Sequence, residues 1–158
     1  MSVGWSDLTF TPDQDAIREF AASWSWLLKY PYTPMLFSVL GDVFFARDAG
    51  DVWWLNTGTA QVTRVADTVD HFQDLLDTDI VDEWFMPILV EQLHLNSKIP
   101  EPGECYTYVT LPIFPDGRYD VDNLNPVPAR EHFSLTGKLH RELCDVADGG
   151  RVEPRVLQ

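Results

Sequence analysis

The 158-residue chain is 45% hydrophobic and carries 25 acidic against 11 basic residues, a net charge of −14. This composition predicts a packed fold rather than disorder, and it disfavours nucleic acid and anionic membranes as partners because both would repel the chain. The N-terminus lacks a basic, apolar leader, no stretch approaches the roughly 18 apolar residues of a membrane span, and two cysteines are too few for a disulfide framework, so we expect a cytoplasmic protein.

The first predicted element is a helix over residues 12–28. Thr11 is the expected N-cap, and Pro12 suits the first helical position. The predicted buried stripe recurs at helical spacing and consists of Ile17, Phe20, Ala21, Trp24 and Leu28. Two prolines in residues 29–34 then break the helix. Residues 1–37 are therefore expected to form an N-terminal helix and a linker.

Three strands are predicted next, over residues 36–47, 52–57 and 61–66. The segments are rich in β-branched and aromatic residues and are separated by short turn sequences, which favours an antiparallel meander. Trp53 and Trp54 are neighbours in the middle strand and must therefore face opposite sides of the sheet.

The apolar period then changes, which predicts two helices at 68–77 and 80–95. Pro87 would kink the second helix unless it lies in a first turn. Beyond them, an alternating pattern predicts a strand from Cys105 to Pro112. Further elements are expected as a partner strand over 118–124, a helix over 131–147 and a loose tail over 149–158. Together these elements predict one α+β domain over 1–158, with an antiparallel sheet of about five strands and helices packed mainly on one side.

Few residues are candidates for a catalytic or metal-binding role. Asp116, Asp120 and Asp122 lack the order of a calcium loop, so we expect a turn and no metal, with weak cation binding left open. The histidines lie at no metal-ligand spacing, and no cofactor motif is present. An unrecognised active site would use His132, His140 and Asp122, which keeps an enzyme as an alternative.

One charged stretch is unusual, because no Lys or Arg occurs between Arg64 and Lys98. Acidic residues recur throughout it: Asp67, Asp70, Asp74, Asp77, Asp79, Asp82, Glu83 and Glu91. The first four fall on one face of a helix, where like charges cost about 0.2–0.5 kcal/mol per pair. The pattern indicates either an ordinary solvated face or a patch that a cationic partner neutralises.

Several short motifs resemble a bacterial family in their order and spacing. They are GDVFF at 41–45, WWLNT at 53–57, RVAD at 64–67, Phe72, EWF at 83–85, GECY at 103–106, Pro112, Tyr119, DN at 122–123 and HF at 132–133. Over about residues 38–145 the chain is similar to the type VI secretion immunity family, typified by the C-terminal domain of proteins that neutralise secreted DNase toxins. One departure is the turn before the tyrosine, FPDG at 114–117, where the family often has a Leu-Gly-Gly type turn.

The resemblance implies a non-enzymatic immunity protein without metal or cofactor. It would bind a cognate toxin, expected to be a nuclease, and mask the toxin's active cleft in the cytoplasm of the producing cell. The segment 117–124 would be a structural part of the sheet region, with Asn123 closing a turn. The acidic residues expected to contact the toxin are Asp70, Asp74, Asp77, Asp82 and Glu83. Besides an enzyme, a general protein-interaction adaptor remains an alternative.

Overall fold

The computed structural model describes residues 3–145, and its centre is a five-stranded antiparallel sheet. The strands lie in chain order across the sheet: β1 (Thr9–Phe10), β2 (Tyr32–Ser38), β3 (Val43–Arg47), β4 (Val52–Asn56) and β5 (Gln61–Ala66). A separate antiparallel pair consists of β6 (Glu104–Tyr108) and β7 (Leu124–Pro128). The predicted α+β class and the five-stranded sheet are confirmed.

In the described part of the chain, six helices surround the sheet: α1 (Trp5–Leu8), α2 (Gln14–Ser23), α3 (Val69–Leu75), α4 (Ile80–Phe85), α5 (Pro87–Leu95) and α6 (Ala129–Asp145). They cover both faces, so the expectation that they pack mainly on one side is wrong. One buried cluster joins Phe44 to Phe72, Trp84 and Phe85. The other joins Phe45 to α2 and α6. The two clusters lie on opposite faces of the sheet because neighbouring residues of a strand point to opposite faces, as Trp53 and Trp54 do.

The first long helix is shorter than predicted. Asp13, not Thr11, is the N-cap, and its Oδ1 accepts the Ala16 N–H at 2.8 Å. The helix ends at Ser23, and the chain continues in turns. Ile17 and Ala21 are exposed because the face that packs against α6 contains Ala16 and Phe20 instead.

The predicted strand 36–47 is two strands with a tight turn between them. Gly41 has a φ of +88°, a conformation that glycine adopts without strain, and it reverses the chain between β2 and β3. β2 also begins earlier than expected, at Tyr32, and runs through Pro34. Proline is tolerated there because β1 pairs only with Phe37 and Ser38, which leaves that part of β2 at the edge of the sheet.

The predicted helix 80–95 is divided at Met86, whose φ of +46° is left-handed. Pro87 then occupies the first position of α5, where its missing N–H costs no helical hydrogen bond. Trp84 in α4 is 5% exposed, whereas Ile88 in α5, four positions later, is 75% exposed, so the two residues do not share one buried helical face.

The partner of β6 is Leu124–Pro128, not residues 118–124 as predicted. Residues Val121–Asn123 instead form a short 3-10 turn, which Asp120 caps through its carboxylate. The next helix begins at Ala129, two residues before the predicted start. Its predicted last residues, 146–147, and the predicted tail at 149–158 lie outside the described residues.

Candidate functional site

A buried polar cluster, here called the Thr57 network, connects β3, β4, β6 and α6. It consists of Gly41, Asp42, Thr57, Thr107 and His132. Thr57 Oγ1 lies 2.9 Å from His132 Nε2 and 3.0 Å from the Gly41 carbonyl oxygen. The Thr57 N–H donates to Asp42 Oδ1 at 3.0 Å. His132 Nδ1 lies 2.8 Å from Thr107 Oγ1. Motif residues far apart in sequence therefore meet in one structural network.

The turn between β2 and β3 requires a glycine for a second reason. A Cβ atom at Gly41 would lie 2.1 Å from His132 Nε2, well inside the distance of closest approach. The absence of a side chain lets the imidazole reach the Gly41 carbonyl, which lies 3.2 Å from Nε2. Any side chain at position 41 would therefore displace the His132 ring.

Two titratable groups of the network have pKa values shifted in opposite directions, and each shift favours the neutral form. Burial raises the pKa of Asp42 to about 7, although hydrogen bonds from Thr57 and Trp54 oppose the shift. Burial lowers the pKa of His132 to about 4, and the Gly41 carbonyl opposes this shift. With its hydrogen on Nε2, the neutral ring donates towards Gly41 and Thr57 and accepts from the Thr107 hydroxyl.

The enzyme alternative required His132, His140 and Asp122 to converge. The two histidines do approach one residue, because His140 Nε2 lies 3.0 Å from the Thr57 carbonyl oxygen. Their exposed fractions are 0% and 3%, however, so a substrate does not reach them without rearrangement of the core. Asp122 lies elsewhere, exposed in the turn before β7. The three residues do not form a site.

The acidic loop at 115–126 is a turn held by its amide side chain. Asn123 is buried; its Oδ1 accepts the Thr110 N–H at 2.8 Å, and its Nδ2 donates to the carbonyl oxygens of Thr110 and Arg118. Asp120 caps the turn, while Asp116 and Asp122 point to solvent as exposed residues. Within residues 3–145, no group of three or more His, Cys, Asp or Glu side chains is arranged to hold a metal ion.

The expected partner-binding residues follow one another along α3, the turn 76–79 and α4. We call this set the acidic surface: Asp70, Asp74, Asp77, Asp82 and Glu83. All five are exposed. The helical row expected for the four aspartates is shorter than predicted, because Asp67 precedes the Thr68 N-cap and Asp77 follows the end of α3. Asp70 and Asp74 remain one turn apart on the same face.

The charge of the acidic surface is not neutralised within the described part of the chain. Arg64 forms ion pairs with Asp51 and Asp67, at 3.5 and 3.1 Å. Lys98 donates to the carbonyl oxygens of Val121 and Leu124. None of the five acidic side chains forms an ion pair with a described residue. The two basic residues that border the stretch in sequence are thus occupied elsewhere.

Sequence reasoning missed a groove beside this surface, here called the Trp5 groove. It has a volume of about 400 Å³ and lies between α1 and the segment from Leu76 to Pro87. Its lining residues are Val3, Gly4, Trp5, Leu8, Leu76, Asp77, Thr78, Asp79, Val81, Asp82 and Pro87. Two of the five expected residues, Asp77 and Asp82, therefore share it, whereas Asp70, Asp74 and Glu83 do not line it. The only sequence signal was a tryptophan near the N-terminus, outside every predicted element.

Part of the chain matches a known protein family. Residues 66–140 match the family model described as T6SS immunity protein Tdi1, C-terminal. The family resemblance is confirmed for this segment. The match supports a type VI secretion immunity protein, and the family implies an inhibitor rather than an enzyme. The segment contains the acidic surface and His132, whereas Gly41, Asp42 and Thr57 precede it.

The fold is similar to a solved structure, described as the crystal structure of Atu4351 from Agrobacterium tumefaciens. The TM-score is 0.50 at 14% sequence identity, and the alignment covers 77% of this chain and 63% of that one. The chain thus spans less than two thirds of that protein, and the likeness concerns the fold alone. No curated protein matches the sequence. Among the described residues, no helix is both long and apolar enough to cross a bilayer.

Proposed function

We propose that this immunity-type chain binds a cognate toxin of a type VI secretion system and neutralises it without turnover. The observation that carries the proposal is the immunity-family match over residues 66–140, which contains all five residues of the acidic surface. The site of action would be the cytoplasm of the producing cell, where the chain masks the toxin's active cleft.

A nuclease is the toxin class that fits best. Enzymes that cut nucleic acid bind phosphates through clusters of Lys and Arg. An exposed surface with five carboxylates and no ion-pair partner among described residues is electrostatically complementary to such a cleft. Long-range attraction between the two surfaces would accelerate association, and the net charge of −14 acts in the same direction.

The alternatives have less support. An enzyme that used His132 and His140 would need access to residues that are nearly fully buried. An adaptor is expected to expose a contiguous apolar patch. The most exposed large apolar residues, Ile88 and Leu95, lie seven positions apart on the outer side of α5, with polar Glu91 and Gln92 between them.

The test replaces Asp70, Asp74 and Asp77 by Asn and measures toxin affinity and cell survival during co-expression with the toxin encoded beside this gene. We expect weaker binding, mainly through slower association, and a shallower salt dependence than for the wild type. A matched control removes three charges elsewhere with Asp48→Asn, Asp116→Asn and Glu142→Gln, all at exposed positions.

Equal losses in the two variants would mean that net charge, not this surface, drives association. Full protection by the first variant with an unchanged salt slope would contradict the assignment of the acidic surface. If the wild-type chain fails to bind or protect against that toxin, the proposed function itself is wrong.

A further inference from the structure

The Trp5 groove combines an exposed aromatic ring with apolar walls and a carboxylate rim. Trp5 is 45% exposed although it is one of the largest apolar residues in the chain. Leu8, Leu76 and Val81 supply apolar lining, and Asp77, Asp79 and Asp82 supply the acidic part. Tryptophan and arginine are the residues most enriched among those that dominate the energy of protein interfaces. The groove therefore has the composition of an interface anchor point.

Trp5 is held in position before any partner arrives. Its ring packs edge-on against Phe85, with 5.3 Å between ring centroids. α1 is attached to the sheet, because Leu8 is buried and its carbonyl oxygen accepts the Val39 N–H at 2.8 Å. An anchor that is already ordered loses little conformational entropy on binding. The ring thus forms a rigid wall rather than a loose surface side chain.

Within residues 3–145, the carboxylates of Asp77, Asp79 and Asp82 form no ion pair. Asp79 occupies the N-cap position of α4, yet its side chain makes no capping hydrogen bond. By contrast, the N-cap side chains of Asp13 and Thr68 both accept a backbone N–H from their own helices. Attraction to the helix start explains why acids are favoured at Asp79 and Asp82. It does not explain why an indole ring is left exposed beside them.

We propose that the Trp5 groove receives an arginine side chain of the toxin, flanked by an aliphatic residue, and that it anchors the contact made by the acidic surface. This inference rests on the proposed function. The planar guanidinium stacks on an indole face and donates to carboxylates in pairs, whereas a lysine ammonium does neither equally well. The arginine stem and its neighbour would cover Leu76 and Val81.

The first experiment measures the dissociation constant for the catalytic domain of the toxin encoded beside this gene. We expect Trp5→Ala to weaken binding at least about tenfold, and Asp79→Asn with Asp82→Asn to do the same through lost charge. Leu95→Ala is the matched control, because Leu95 is 73% exposed and does not line the groove. It should change the constant less than about twofold.

The double variant Asp79→Asn with Asp82→Asn, here called the aspartate variant, alters no core side chain. It therefore still tests the groove if Trp5→Ala unfolds the protein. Unchanged affinity in the aspartate variant, together with a loss in the Asp70, Asp74 and Asp77 variant, would retain the proposed function and overturn the groove as its anchor. Unchanged affinity in a folded Trp5→Ala variant would have the same meaning.

The second experiment needs no toxin. The peptide acetyl-Leu-Arg-Leu-amide is titrated into 15N-labelled protein, and the indole N–H signal of Trp5 is assigned by its loss in Trp5→Phe. We expect a saturable shift of this signal at millimolar peptide, weaker with Lys in place of Arg, and absent with citrulline or in the aspartate variant. No shift with the arginine peptide would overturn the groove. A shift, combined with no toxin binding by the wild type, would support the groove while the proposed function fails.

Discussion

The Thr57 network and the acidic surface are both made of polar residues, but their side chains are satisfied in opposite ways. In the network, the side chains of Asp42, Thr57 and His132 all have partners inside the protein and are almost inaccessible to water. In the acidic surface, every carboxylate is exposed and none forms an ion pair with a described residue. Motif residues can thus be part of the buried core, whereas the exposed carboxylates form the surface at which we propose that a cationic partner binds.

The largest expected effect concerns the core beneath the acidic surface. Trp84 is 5% exposed and packs against Phe44, with ring centroids 5.2 Å apart. Trp84→Ala should lower the free energy of unfolding by about 3–5 kcal/mol, through lost burial plus a cavity. The control is Ile88→Ala on the next helix. It should change the free energy of unfolding by less than about 0.5 kcal/mol, because Ile88 is 75% exposed. Urea unfolding measures both, and equal losses would mean that the described packing is wrong.

The next effect concerns the Thr57 network. Gly41→Ala introduces a left-handed alanine and a contact of 2.1 Å with His132, so we expect a loss of about 2–5 kcal/mol. Gly50→Ala is a close control, since its φ is also +88° but nothing lies within 4 Å of the added carbon. That variant should lose only about 1 kcal/mol. Equal melting temperatures of the two variants would contradict a special role for Gly41.

The pH dependence of stability separates the two titrating residues of the network. The pKa of Asp42 is about 7 in the folded protein and 3.8 in the unfolded chain. Its contribution to the free energy of unfolding therefore falls as the pH rises between these two values. The pKa of His132 is about 4 in the folded protein and 6.5 in the unfolded chain. Its contribution to the free energy of unfolding is therefore lost as the pH falls between these two values. Between pH 5 and 6.5, the folded state holds the Asp42 proton and the unfolded state holds one on His132. The two slopes therefore oppose each other.

Replacing Asp42 by Asn should unmask the histidine slope. We expect stability to rise with pH more steeply than in the wild type between pH 5 and 6.5, by up to about 1.4 kcal/mol per pH unit. The lowered pKa of His140 acts in the same direction as that of His132. Urea unfolding at three pH values measures the slope independently of any constant loss that the amide causes. Parallel slopes in variant and wild type would show that Asp42 is ionised in the folded protein.

The smallest effect is expected at the acidic surface. Asp74→Asn removes the like-charge neighbour of Asp70 one helical turn away and should stabilise the free protein by about 0.2–0.5 kcal/mol, while Asp70 keeps its favourable place in the first turn of α3. The gain should vanish at high salt, because screening already weakens the repulsion. A loss above about 1 kcal/mol would mean that this carboxylate supports the fold, and the contrast with the Thr57 network would no longer hold.

The sequence was informative where local chemistry decides the structure. Alternating strands, turn residues and helical stripes predicted most elements of the sheet and the helices α3 and α6 within a few residues. Errors occurred where signals competed. Thr11 and Asp13 are both good N-caps, and the geometry of the following turn selected Asp13. Likewise, the polar segment 118–124 alternates like a strand, but Asn123 draws it into a turn through hydrogen bonds to Thr110 and Arg118.

For the candidate site, the sequence by itself determined the acidic, lysine- and arginine-free stretch, the family motifs and the opposite directions of Trp53 and Trp54. These depend on residue type, order and the two-residue period of a strand. Only the tertiary structure decided that His132 is a buried partner of Thr57 rather than an exposed side chain, and that Trp5 stands beside Asp77 and Asp82. Such juxtapositions join residues more than seventy positions apart, and they depend on how helices pack on the sheet, which no local pattern encodes.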